Sequence, residues 1–109
     1  MVKTFSITDI GKKRKLNQDY VYSCETRIGN LPNVFIVADG MGGQNAGEYA
    51  SKVAVATMVE EIAHCALQSP ERILRQAISR ANTRLRELAA KDVHLFGMGT
   101  TVVASTVVG

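Results

Sequence analysis

An α+β fold with a mainly antiparallel sheet is what this sequence predicts. Three observations carry that expectation. Three strand-like stretches fall before residue 40, two helix-like stretches occupy most of residues 47–91, and one β-branched run closes the chain. Strands followed by helices, rather than strict alternation, favour α+β over a doubly wound parallel sheet. The size is compatible: 109 residues, 46% hydrophobic and 21% charged, with mean hydropathy +0.02. That is an ordinary globular composition, large enough for one core. Neither a linker, an internal repeat nor a low-complexity segment divides the chain, so residues 1–109 read as one domain.

The elements follow in order. Lys3 to Asp9 (KTFSITD) alternates, with Phe5 and Ile7 on one face, as a half-buried strand does. A basic loop from Gly11 to Asn17 leads to a second strand over Tyr20 to Glu25 and a turn region at Gly29 to Asn33. Val34 to Ala38 is almost wholly apolar, which predicts a strand covered on both faces. Gly47 to about Leu67 has helical spacing at Val55, Met58, Val59, Ile62 and Ala66. Ser69 then offers an N-cap, Pro70 suits the first helical position, and Glu71 suits the positive helix end. The helix so begun carries an apolar stripe of Leu74, Ala77, Ile78, Ala81, Leu85 and Leu88. The short join at Gln68–Ser69 makes the two helices an antiparallel pair. Gly97 and Gly99 break the pattern, and TTVVASTVV is a closing strand.

Composition narrows the function classes. Apolar runs stay well short of the roughly 18 residues a spanning helix needs, and the first residues lack the apolar core of a signal peptide. The expectation is a cytoplasmic protein without membrane contact. Cys24 and Cys65 stand far apart without CxxC spacing, as reduced thiols do; a disulfide or metal pairing is the less favoured alternative. Net charge is +3. The basic residues gather at Lys12–Lys15 and at five arginines from Arg72 to Arg86. Neither group is interleaved with aromatics, so a solvated surface is favoured over a nucleic-acid interface.

The stretch VFIVADGMGG, Val34 to Gly43, is the chemical focus. An apolar strand delivers one carboxylate, Asp39, and three glycines follow within four positions. A dinucleotide fingerprint would need glycine at 45, where asparagine stands, and there is no GxxxxGK[ST] motif. A hard cation fits better: a rigid carboxylate, an accessible Gly40 carbonyl and water make the all-oxygen set that Mg²⁺ and Mn²⁺ prefer. A carboxylate can also bridge two cations in phosphoester hydrolysis. A plain Asp-Gly turn remains the competing reading. In GKKRKLNQD, Arg14 is suited to bidentate phosphate binding and Asp19 adds a second carboxylate.

Arg14, Asn17, Gln18 and Asp19 (RxxNQD), then VADGMGG, then GEYAS, then GMGTTVV occur in one order. The chain so resembles the start of metal-dependent serine/threonine protein phosphatases of the protein phosphatase 2C type, most nearly their bacterial branch. The resemblance covers essentially the whole sequence. It implies the N-terminal portion of a four-layer α/β/β/α sandwich, here about four strands and one antiparallel helix pair. It implies Asp39 bridging two Mn²⁺ or Mg²⁺ ions, the Gly40 carbonyl ligating one of them, and Asp19 hydrogen-bonding metal-bound water. Arg14 would grip the substrate phosphate, and water between the metals would attack phosphorus in line. The substrate class implied is phosphoserine and phosphothreonine in proteins, the products of a serine/threonine kinase. Thr100 and Thr101 are expected to be mainly structural, close to the site.

Two departures qualify this. Met41 stands where many eukaryotic relatives carry a histidine, and a thioether cannot donate a proton. The family's later aspartates, in DG and DN motifs, have no counterpart: after Gly43 only Asp92 remains, at a helix end. The expectation is therefore a fragment, inactive alone, of a longer catalytic domain. A non-catalytic phosphatase-like binding module is the alternative. The strand ending at Val108 is expected to be an exposed edge through which copies associate.

Overall fold

In the computed structural model, residues 3–9, 18–42 and 46–109 are described. The order is β1 (Lys3–Asp9), β2 (Gln18–Cys24), β3 (Val34–Met41), α1 (Ala46–His64), α2 (Pro70–Lys91), a 3₁₀ turn (Val93–Leu95) and β4 (Gly99–Val108). The strands form one sheet in the order β1-β4-β3-β2, with antiparallel ladders throughout. The α+β expectation with four strands and two helices holds.

The closing strand corrects one expectation. β4 is not an edge: it pairs with β1 on one side and β3 on the other. Its run of β-branched residues suits the middle of a sheet, where both backbone edges are bonded. The edges of the sheet are β1 and β2, so the exposed-final-strand route to self-association falls away.

Alternation decides which face is buried. Val34, Ile36 and Ala38 of β3, with Val102, Ala104 and Thr106 of β4, are buried. They pack under α1, which lies over β2, β3 and β4, and under α2, which lies over β1 and β4. The helices contribute Ala50, Ala54, Val55, Met58 and Ile62 from α1 and Ile73, Leu74, Ala77, Ile78 and Ala81 from α2. Glu61 of α1 accepts from Gln76 at 2.6 Å and lies 3.7 Å from Arg80, so the helices run antiparallel as expected. The other face is bare. Phe35 and Val37 are 37% and 44% exposed, and Val21, Val103 and Val107 share that exposure. β3 is thus covered on one face, not on both.

Local chemistry sets the boundaries. Ser69 caps α2, its Oγ accepting from the Arg72 N–H at 3.4 Å, and Pro70 opens the helix. α1 ends at His64, before Leu67, which leaves Ala66 exposed in the connection. Asn30 ties down that connection by donating to the Cys65 and Leu67 carbonyls at 3.3 and 2.9 Å. Asn33 fixes β4 beside the entry to β3: its amide accepts from the Val107 N–H at 2.8 Å and donates to the Val107 carbonyl at 2.9 Å. Asp92 caps the 3₁₀ turn by accepting from the His94 N–H at 2.9 Å, a structural use of the one late aspartate. Both cysteines are free thiols.

Candidate metal and phosphate site

β3 runs three residues beyond the apolar stretch, through Asp39, Gly40 and Met41. The carboxylate therefore stands within a ladder rather than in the turn after it. Asp39 is in register with Asp19 on β2 and with Thr101 on β4. Directly opposed residues of antiparallel strands share a face. For Asp39 that is the face away from the helices, in line with exposed Phe35 and Val37. Asp39 is itself half-buried, with Oδ1 shielded from solvent.

Gly40 belongs to the next row, between Gln18 and Thr100, on the helix side. Its lack of a side chain has a specific cause. A Cβ there would lie 1.7 Å from the Gly47 carbonyl oxygen in the first turn of α1. Two glycines, one on each element, let strand and helix backbones touch. Gly42 has φ near 149° and would set a Cβ 2.9 Å from that of Ala46. Gly40 and Gly42 thus serve strand–helix packing, beyond the close approach of a ligand that the sequence suggests; Gly47 in GEYAS is the sequence signal for it.

Of the other sequence-predicted residues, Arg14 lies outside the described residues, as do Asn17 and Gly43. The residues flanking its segment are informative. Asp9 pairs with Val102 and Gln18 with Gly40, so both stand at the end of the sheet where Asp39 lies. Asp19 is placed by its backbone register opposite Asp39. Thr100 is buried, its hydroxyl donating to the Thr101 carbonyl at 3.2 Å, in keeping with a structural part. Met41 is buried at 2% exposure and Met98 at 6%, both core residues. Tyr20 is 38% exposed on edge strand β2.

The donor set fits a hard divalent cation in kind but is sparse. One carboxylate and one peptide carbonyl come together at Asp39–Gly40, and among the described residues no three His, Cys, Asp or Glu side chains cluster.

Comparison with known proteins decides the family. The family model described as protein phosphatase 2C matches residues 11–108. The chain belongs to the protein phosphatase 2C family. Among curated members, the serine/threonine phosphatase stp of Listeria monocytogenes is 38% identical over 102 residues, covering 90% of this chain and 40% of that protein. The protein phosphatase PhpP of Streptococcus pneumoniae is 32% identical over 99 residues, 88% of this chain and 39% of its own. Among solved members, the catalytic domain of the serine/threonine protein phosphatase PstP, in complex with two manganese ions, aligns with a TM-score of 0.68 at 28% identity. That alignment covers 99% of this chain and 44% of PstP's. The chain thus spans about two fifths of the length of the curated protein phosphatase 2C relatives it matches.

Proposed function

We propose that this chain is the N-terminal part of a metal-dependent protein phosphatase domain that hydrolyses phosphoserine and phosphothreonine in proteins. One observation carries the reading: within a protein phosphatase 2C chain, Asp39 sits in register with Asp19 at the end of the sheet where the Arg14 segment begins and returns. An acidic residue type on each of two paired strands is the kind of arrangement that favours a divalent cation nearby.

In this reading Asp39 and the Gly40 carbonyl hold Mn²⁺ or Mg²⁺, two ions in the complete site. Those ions, when bound, supply Lewis-acid activation of water. Asp19 accepts hydrogen bonds from water at that centre and orients it. Arg14 binds the phosphate through two parallel N–H donors. Met41, buried and without a proton to give, leaves protonation of the departing serine or threonine oxygen to water or another group. The substrates are phosphoproteins made by a serine/threonine kinase. A cytoplasmic setting accords with two free cysteines. No described helix is long and apolar enough to cross a membrane.

The sparse donor set and the bare sheet face support the view that further ligands and a second sheet come from outside residues 1–109. The same sparse set also favours a second reading, a phosphatase-like module that binds a partner without catalysis. One experiment separates them. The protein at its full natural length is assayed on p-nitrophenyl phosphate and phosphopeptides with and without Mn²⁺, beside Asp39→Asn. The expected result is metal-dependent turnover that Asp39→Asn abolishes. Activity resistant to EDTA, or an active Asp39→Asn protein, sinks the two-metal reading; a stable protein with no turnover supports the binding module.

A further inference from the structure

We propose that the cavity between the C-terminal half of α2 and the start of β4 is a substrate subsite for an apolar side chain on an acidic polypeptide. It rests on the phosphatase reading above and adds a preference for the sequence around the phosphoresidue. The cavity has a volume of about 510 Å³. Leu85 and Ala89 of α2 line it, with Phe96 and Met98 on the approach to β4 and Gly99 and Thr100 at the strand's start. Phe96 is 82% exposed although it lines the cavity, so it forms part of the rim.

Charge selects the occupant. Arg75, Arg80 and Arg84 of α2 each have a carboxylate within ion-pair distance, from Glu71, Glu61 and Glu87 respectively. Arg86, which also lines the cavity, has none among the described residues; its guanidinium donates to the Thr83 hydroxyl at 3.4 Å. A guanidinium beside apolar walls favours a ligand that brings a carboxylate or phosphate next to a hydrophobic group. A free small anion would leave the walls empty, and a wholly apolar segment would leave Arg86 without a counter-charge.

Position ties the cavity to the site. Gly99 and Thr100 are in register with Met41 and Gly40, one strand spacing of about 4.8 Å away. Gly97, Met98 and Gly99 line the cavity on the approach to β4; Met98 is buried and a Cβ on Gly97 would meet nothing within 4 Å. An extended peptide advances about 3.3 Å per residue. Asp39 faces the other side of the sheet, so a phosphopeptide held there reaches this cavity by passing round the strand ends at Met41 and Gly99, a few residues from the phosphoresidue.

The test uses the protein at its full natural length with Mn²⁺. p-Nitrophenyl phosphate, which has no side chain to seat, is compared with phosphoserine peptides bearing a leucine–glutamate pair at each flanking position in turn. Ala90→Trp fills the cavity from an exposed helix position, and Arg86→Glu reverses its charge. The expected result is one preferred peptide, whose kcat/KM falls about tenfold or more in either variant, with p-nitrophenyl phosphate turnover unchanged. No preference among peptides, or equal losses on every substrate, overturns the subsite. If p-nitrophenyl phosphate is not hydrolysed at all, the phosphatase reading fails separately. Amide shifts are then followed with the same peptides lacking phosphate. Shifts at Ala89, Phe96 and Gly99 that Arg86→Glu removes uphold the cavity as a peptide site, and their absence overturns it.

Discussion

Gly40 shows how tightly the candidate ligands are tied to the scaffold. Its missing side chain is filled by the Gly47 carbonyl oxygen, a backbone atom that cannot rotate away. Gly40→Ala should therefore push the first turn of α1 off β3 and cost about 1–3 kcal/mol, read as a lower urea midpoint. In the proposed site the same residue offers its carbonyl to the metal, so Mn²⁺ affinity at full length should fall as well. A variant of native stability and affinity would mean that α1 yields freely at Gly47. Arg14→Ala acts differently. A bidentate phosphate contact contributes about 1.5–3 kcal/mol, so kcat/KM should fall roughly 10- to 150-fold with metal titration unaltered. Unchanged kinetics would make Arg14 a solvated loop residue.

At the scale of elements, caps and cores contribute unequally. The Ser69 cap bond is long, at 3.4 Å, and exposed; Ser69→Ala should cost about 0.5–1 kcal/mol, the low end for an N-cap. Ile62 is fully buried, and Ile62→Ala should cost about 2–5 kcal/mol. Chemical denaturation of both variants checks the ranking, and a reversal would show that the α2 cap outweighs a fully buried core side chain of α1. The same contrast explains what the sequence made legible. Ser69, Pro70 and the apolar stripe define α2 by local chemistry, so its start and face could be read directly. β3 was harder. Asp39-Gly40 has the composition of a turn, yet ladders to Gln18–Asp19 and Thr100–Thr101 hold it extended. Pairing between residues sixty positions apart leaves no local signature. The motifs RxxNQD, DGMGG and GMGTT named the candidates, but the row shared by Asp19, Asp39 and Thr101 across the sheet came only from the register. The cavity at Arg86 had no sequence signal beyond an exposed Phe96.

For the whole molecule, the asymmetry of the sheet matters most. One face is closed by two helices while the other presents Val21, Phe35, Val37, Val103 and Val107 to solvent. A contiguous apolar face of this kind marks a surface meant to be covered. Val37→Lys distinguishes the two states of that face. In the 109-residue chain it should change stability by no more than about 0.5 kcal/mol, as surface substitutions do. At full natural length, with a second sheet against Val37, it should cost about 2 kcal/mol or more, since a charge would be buried. Equal small effects in both proteins would show that the face stays bare and that no sandwich forms there.

The central place of β4 also governs how the molecule can assemble in time. Its ladder with β1 joins residue 3 to residue 108, so β1 must wait for β4. Until β4 is synthesised, β1 has no described partner, and β3 has only β2. A ribosome delivering residues 1–109 therefore exposes an unfinished sheet until β4 emerges. Closing so long a loop carries an entropic cost that falls before the β1–β4 contacts reward it. Folding should be slow for a chain of this size, and its rate set by the docking of β4 rather than by the formation of α1 or α2.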